Sequence, residues 1–427
     1  MERVIFHIDV NSAFLSWEAT YRMRELGETE DLRLLPCVVG GSEESRHGIV
    51  LAKSESAKKY GVTTGEPLVD ARRKCPGLRT VPANFPIYVK YSNAMMKILE
   101  DYSPDIEQYS IDESFIDMTG TQNLFGPPIE VAHKIKDRIY EELGFTVNVG
   151  ISTNKLLAKM ASDFKKPNLV HTLFPEEVPT KMWPLPVSEL FFVGRQTTKR
   201  LHALGIFTIG DLAQTDKKVI VDNLKGHGEV IWEFANGIGD SMDDVANKNR
   251  KPANKGYSNE TTIAFDVTDA ALAKEILLSL TETVATRVRA DKSYISVVSV
   301  YFVDNEFHHT SRQMTLDSAT NVTNEIYHHV CTLFDQLWNG RPIRLLGVQT
   351  SKATSESNRQ FSLFEKQNVE KLSKLDAAID QIRNKYGEDS VMRASFVKTE
   401  EHKEGPRHMT GGLNKAKREK QHEKEKS

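Results

Sequence analysis

Residues 109–117 read YSIDESFID (Tyr109–Asp117), and two adjacent carboxylates, Asp112 and Glu113, stand inside this apolar, strand-favouring run. Two unpaired charges are too costly to bury in such a setting. Neighbouring ionised carboxylates become favourable when a cation neutralises their repulsion, and Mg²⁺ prefers hard oxygen ligands of this kind. Asp112 and Glu113 therefore read as metal ligands. A third candidate is Asp9, at the end of the short apolar strand in VIFHIDVNSAF, residues 4–14. Three carboxylates can hold two divalent ions, the arrangement that clamps attacking and leaving oxygens in phosphoryl or nucleotidyl transfer. The competing reading is an acidic pair in a solvated turn.

Four segments occur in order along the chain: HIDVNSAF (7–14), GIVLAKSESAKKYGV (48–62), YSIDESFID, and VGISTNKLLAKMASDFKKP (149–167). In this combination the chain resembles the Y-family translesion DNA polymerases, the group containing bacterial polymerases IV and V, over about residues 4–365. The resemblance implies a template-directed, low-fidelity DNA polymerase that joins a deoxynucleotide to a primer 3′-hydroxyl with two Mg²⁺ ions. Asp9, Asp112, Glu113 and the Val10 carbonyl would be the ligands, with Glu113 serving the ion that activates the hydroxyl. Phe14, five residues after Asp9, matches the ring that excludes a ribose 2′-hydroxyl. On pattern alone, a Phe on the inner face of an amphipathic helix reads as core. Lys58 and Lys166 match positions that meet the incoming triphosphate, with Lys165 as the competitor of Lys166. Glu55 and Lys58 depart from the polymerase IV pattern of Tyr and Arg, and Lys58 resembles the polymerase V branch. The branch stays open here. A solvated helix face is the plainer reading of Lys58.

Composition sets wider bounds. A chain of 427 residues, 39% apolar and 27% charged, is long enough for two to four domains. A net charge of -3 means that any DNA contact comes from local patches. Cys37, Cys75 and Cys331 lie far apart and in no zinc-binding spacing, which fits a reducing compartment. With no signal-peptide pattern and no apolar run of membrane length, a cytoplasmic protein is expected. No second acidic cluster reads as a proofreading exonuclease.

Alternating helical and strand-like patterns predict an α/β (α+β) multidomain fold. The expected parts are a mixed-sheet palm (1–16 and 83–174), small fingers (17–82) and a helical thumb (175–243). A basic linker (244–256) and a little finger (257–358) follow. In the thumb, LFFVGRQTTKRLHALGIFTIGD (190–211) resembles a helix-hairpin-helix, with Gly194 and Thr197 at a helix start and Gly205 at the turn. Phe192 stands where the motif's first glycine is expected. KGHGEVIWEFANG (225–237) is a second candidate, with Gly226 and Gly228 before a helix. Such hairpins turn backbone N–H groups toward phosphates.

The little finger reads as β-α-β-β-α-β, with an uncovered polar face that could meet DNA and with Arg312 and Arg344 as phosphate contacts. His308, His309, His328 and His329 read as surface or core-edge residues, because adjacent side chains point in different directions. QFSLF, with Gln360, Leu363 and Phe364 in a polar segment (359–365), resembles the bacterial sliding-clamp binding peptide. A polar helix over Val369–Tyr386 and a disordered Lys- and Glu-rich tail complete the chain. The expected partners are primer-template DNA, dNTPs and the clamp, with an otherwise monomeric enzyme. Two rivals compete: a non-catalytic DNA-binding module, and a two-metal nucleotide cyclase or nuclease.

Overall fold

The first strand, β1 (Ile5–Val10), is buried along its whole length, so its two polar residues, His7 and Asp9, are buried with its apolar ones. The computed structural model describes residues 3–41, 46, 48–239, 254–355, 369–387 and 390–396. The Gln360–Phe364 peptide, most of the 244–256 linker and the tail lie outside the described residues. Chain packing defines two units, one of residues 1–39, 51–64 and 71–251, the other of 40–50, 65–70 and 252–427.

In the first unit, a five-stranded sheet has the order β5-β6-β1-β7-β8, from β5 (Ile106–Gln108), β6 (Glu113–Asp117), β7 (Val147–Ser152) and β8 (Val170–Thr172). The sheet is mixed, as expected: β1 runs antiparallel to both β6 and β7, while β7 and β8 are parallel. The β5–β6 connection is a tight hairpin, which forces antiparallel pairing where a helical crossover would have allowed parallel strands.

Phe6, Ile8 and Val10 share a core with residues of α1 (Ala13–Glu25), α4 (Phe85–Glu100) and α6 (Pro128–Leu143). The opposite face carries Ile5, His7 and Asp9, and Ile5 packs there with Phe115 and with Ala158 of α7 (Lys155–Asp163). Gly150 on β7 makes this possible: a Cβ there would lie 1.9 Å from the Ala158 carbonyl oxygen, so the backbone of α7 rests directly on the strand. α1 runs unbroken past residue 16. Strands β2 (Cys37–Gly40), β3 (Val50–Lys53) and β4 (Arg79–Pro82) form a separate sheet, with short helices α2 (Glu55–Lys59) and α3 (Leu68–Lys74) between them.

After the one-turn α5 (Gln122–Phe125) and α6, the unit ends in α8 (Arg195–Ala203), α9 (Ile209–Gln214) and α10 (Lys217–Ala235). α9 begins with a capping box between Thr208 and Asp211. α10 is broken at Lys225, whose φ is 57°, so Gly226 and Gly228 open its second half.

The second unit contains β9 (Gly256–Val267), α11 (Ala270–Ala290), β10 (Ser293–Asp304), β11 (His309–Thr320), α12 (Thr323–Leu337) and β12 (Ile343–Ser355). This is the expected β-α-β-β-α-β succession, in a sheet ordered β11-β10-β12-β9. The second of its helices begins at Thr323, just after β11 ends at Thr320, and Phe307 sits in the turn before β11 at φ 65°.

The last helix, α13 (Val369–Tyr386), turns its charged side inward. Asp376 and Asp380 pair with Arg289 of α11, and Arg383 pairs with Glu282. Leu375 and Tyr386 of the same helix are exposed.

Candidate active site

Antiparallel pairing of β1 with β6 sets Asp9 directly opposite Glu113. Directly paired residues share a face, so His7, Asp9, Glu113 and Phe115 all project toward α7. Asp112 is held in the hairpin bend just before β6. The Ser110 hydroxyl donates to its Oδ1 (2.6 Å) and accepts from the Asp112 and Glu113 amides. The Val10 amide donates to the Asp112 carbonyl (3.1 Å), which ties the bend to the end of β1. Residues more than 100 positions apart in sequence, Asp9 with Glu113 and Val10 with Asp112, are thereby brought together.

Each of two carboxylates has a lysine. Lys166 Nζ lies 2.5 Å from Asp9 Oδ2 and 2.8 Å from Asp163 Oδ1. Lys159 Nζ, on α7, lies 2.9 Å from Glu113 Oε2. Buried His7 approaches the same oxygen at 3.8 Å, while its Nδ1 meets the Ser162 hydroxyl at 2.7 Å. Burial pushes the Asp9 carboxyl up, and Lys166 only partly opposes this. Burial also pushes Glu113 up, but the neighbouring His7 and Lys159, with the lysine charge, outweigh it and hold that carboxyl at about 2. Burial keeps His7 below its usual value, hence neutral.

Asp9, Asp112 and Glu113 do not close to 4.8 Å of one another. Among the described residues that distance is met by Asp304, Glu306 and His308, in the turn after β10, where Arg341 already pairs with Asp304. With lysines as their counter-ions, the carboxylates of the first unit are held toward separate cations. The donor set itself, three carboxylates of which Asp112 lines a cavity, fits a hard divalent ion.

That cavity, about 220 Å³, is lined by Val10, Phe14, Ala52, Lys53, Thr64 and Asp112 among others. Phe14 is both wall and packing element: it stacks on Tyr88 (4.9 Å, 12°) and meets Phe85 edge-on (6.1 Å, 87°). The core reading and the cavity reading of Phe14 therefore both describe it. Lys58 is exposed and forms an i,i+3 ion pair with Glu55 at 3.6 Å, so the unexpected acid has a partner on its own helix.

Gly194 is the N-cap of α8, with no side-chain cap, and Thr197 lies in its first turn. Thr197 Oγ1 is 3.4 Å from His227 Nε2, so Gly226 and Gly228 lie beside the start of α8. In the second unit, Arg312 is the partner of Val300, a residue of the helix-covered core. It therefore projects on the helix-bearing side of edge strand β11, and not on the open face expected for a groove contact. Arg344 sits where the pairing of β12 shifts register, with its guanidinium 5.0 Å from the Phe307 ring centre. The open face carries Tyr301, which crosses Gly347 to donate to Glu260.

Sequence reasoning missed His7, Lys159, Ser110 and Lys53. A signal existed for two of them. A His in an otherwise apolar strand, two residues before Asp9, shares its face, and Lys159 interrupts the apolar side of a helix that is buried from Leu156 to Ser162.

A model of the impB/mucB/samB family matches residues 8–163, the model of that family's C-terminal domain matches 254–363, and the IMS family HHH motif matches 175–206. DNA polymerase IV of Clostridium acetobutylicum is 46% identical over 402 residues, covering 94% of this chain and 100% of that protein. DNA polymerase IV of Acetivibrio thermocellus is 38% identical over 400 residues, covering 93% and 98%. Among solved structures, a Y-family polymerase chimera of Dbh and Dpo4 superposes with a TM-score of 0.69 at 23% identity, over 83% of this chain and 100% of that one. An insertion ternary complex of Dbh DNA polymerase gives 0.56, also at 23% identity and the same coverage. No helix among the described residues is long and apolar enough to cross a membrane.

Proposed function

We propose, from the premise that this chain belongs to the Y-family DNA polymerases of the polymerase IV type, that its translesion synthesis runs through Asp9, Asp112 and Glu113 with two Mg²⁺ ions. The Glu55 and Lys58 departure thus occurs within the polymerase IV type and does not mark the polymerase V branch. The observation that carries the reading is the pairing of Asp9 with Glu113 across β1 and β6, with Asp112 in the adjoining bend on the wall of a cavity that Phe14 also lines.

The three carboxylates and the Val10 carbonyl would hold the ions, which when bound supply a more acidic primer hydroxyl and charge neutralisation on the triphosphate. Everything else falls to the chain. Phe14 closes the sugar side of the cavity, where a 2′-hydroxyl would meet a ring already wedged between Tyr88 and Phe85. Lys166 and Lys58 meet the triphosphate as point charges without the fork of Arg. Lys159 and neutral His7 orient Glu113.

The first turns of α8 and of the second half of α10, at Gly194, Thr197, Gly226 and Gly228, face duplex phosphates. Their contacts are to backbone and carry no base information. Arg344, and Arg312 from the sheet edge, add phosphate contacts. Gln360, Leu363 and Phe364 dock on the sliding clamp, two apolar anchors in an otherwise polar segment. Palm, fingers, thumb and little finger are the proposed parts, with α1 carrying the chain unbroken from palm into fingers past residue 16.

Primer extension with Mg²⁺ and dNTPs tests the centre of this reading. Asp112→Ala abolishes extension while duplex binding, measured by anisotropy, stays within about twofold. Undiminished extension by the variant would remove Asp112 from the site.

A further inference from the structure

Lys166 has more partners than a triphosphate contact needs. Its ammonium lies 2.5 Å from Asp9 Oδ2 and 2.8 Å from Asp163 Oδ1. The two partners differ: the Asp9 side chain is 9% exposed, that of Asp163 48%. A carboxylate as buried as Asp9 needs a counter-charge, and Lys166 supplies it.

The backbone around Lys166 is pinned. Asn148 Nδ2 donates to the Lys165 carbonyl (2.7 Å) and to that of Ser162 (3.0 Å). Asn11 Oδ1 accepts from the Asn168 amide (2.9 Å), and Asn148 Oδ1 accepts from the Leu169 amide (3.2 Å) and from the Asn11 amide side chain (3.2 Å). The Lys166 side chain, 34% exposed, thus swings from a fixed anchor. Its reach includes a buried carboxylate, a solvated one and the adjoining solvent.

We propose that Lys166 is an exchangeable counter-ion: it occupies Asp9 in the nucleotide-free enzyme and leaves it for the triphosphate when nucleotide enters. This rests on the assignment of Asp9 as a metal ligand. The ammonium and a divalent ion compete for one carboxylate, and like charges side by side are unfavourable. A triphosphate carries enough negative charge to draw the ammonium off Asp9, while Asp163 offers it a resting place between the two. Departure of Lys166 exposes the Asp9 oxygen to the ion. Nucleotide and metal therefore assist each other's binding through this side chain, and the assistance is reciprocal. Lys159 does not compete in this way, because it is engaged by Glu113, and His7 turns its Nδ1 to the Ser162 hydroxyl.

The test is Mn²⁺ binding to the full-length protein without nucleotide or DNA, followed through the free-ion paramagnetic resonance signal. Lys166→Met binds Mn²⁺ about tenfold more tightly than wild type, within the usual range for one coupled pair, although the change removes a polar contact. Lys166→Arg keeps the competing charge and binds as wild type does. Lys165→Met controls for a general loss of positive charge and shifts affinity by less than twofold. In steady-state extension Lys166→Met raises the dNTP KM while its half-saturating metal concentration falls.

Unchanged or weaker Mn²⁺ binding by Lys166→Met, with melting temperature preserved, overturns the proposal, as does equal tightening by Lys165→Met. Asp9→Asn separates the two ideas. If it leaves Mn²⁺ binding intact, the metal assignment itself fails; if it weakens binding but Lys166→Met does not tighten it, only the exchange fails.

Discussion

Replacing Phe14 by Ala removes the ring that closes one wall of the cavity beside Asp112. In the wild type that ring cannot turn aside, because it stacks on Tyr88 at 4.9 Å and abuts Phe85 edge-on at 6.1 Å. Forcing an additional group against a packed wall costs about 1–3 kcal/mol, which corresponds to roughly 5- to 150-fold in kcat/KM. The preference for dNTP over rNTP is expected to fall by a factor in that range, with kcat/KM for the dNTP changing little. Loss of a half-buried ring also lowers stability by about 2 kcal/mol. Single-nucleotide insertion opposite one template base, with dCTP and CTP compared at several concentrations, measures the ratio. Tyr88→Ala offers an internal check: it frees the ring without removing it, so sugar discrimination should fall by a smaller factor. A folded Phe14→Ala enzyme that still rejects ribonucleotides as wild type does would refute the assignment of the wall, and a Tyr88 effect as large as the Phe14 one would refute the role of stacking.

Three further outcomes follow from particular contacts. Lys159→Met takes away the ammonium 2.9 Å from Glu113 and should destabilise the protein by about 2 kcal/mol at pH 7. The Glu113 carboxyl is depressed in the folded state, from 4.5 to about 2. Its stabilisation is therefore complete above about pH 4.5 and lost as pH falls toward 2, so urea unfolding should show the mutant deficit shrinking on acidification across that window; a deficit independent of pH would mean that the ion pair is not its source. Gly150→Ala sets a Cβ 1.9 Å from the Ala158 carbonyl oxygen and should cost at least about 3 kcal/mol, seen as a fall in melting temperature of several degrees or loss of soluble protein, whereas a wild-type melting curve would contradict the close seating of α7. Leu363→Ala with Phe364→Ala should leave unassisted extension unchanged and remove stimulation by the sliding clamp, as read from product lengths with and without clamp.

Much of the architecture was legible in the chain itself. Strands β1, β6 and β7, helices α4, α6 and α7, and the β-α-β-β-α-β succession follow from apolar periodicity, and the helix over Val369–Tyr386 has the same limits in both readings. Which strands of the mixed first sheet pair, and in which direction, was not legible, because periodicity reports which residues are buried and not which strand lies alongside. The rivals, a non-catalytic binding module and a cyclase or nuclease, gave way to relatives that are DNA polymerases IV along nearly their full length.

The sequence alone determined which side chains have the right chemistry: Asp9, Asp112 and Glu113 are hard oxygen donors in apolar surroundings, and Phe14 and Lys166 stand at the matching offsets. Tertiary structure decided who meets whom. Pairing in register set Asp9 against Glu113, the packing of α7 delivered Lys159 and Ser162 to Glu113 and His7, and the fixed backbone after Asp163 aimed Lys166 at Asp9. Strand pairing likewise turned Arg312 to the helix side of its sheet. The physical reason is that a local pattern encodes burial and backbone preference residue by residue, whereas an ion pair between positions 157 residues apart exists only once long-range packing has placed both ends.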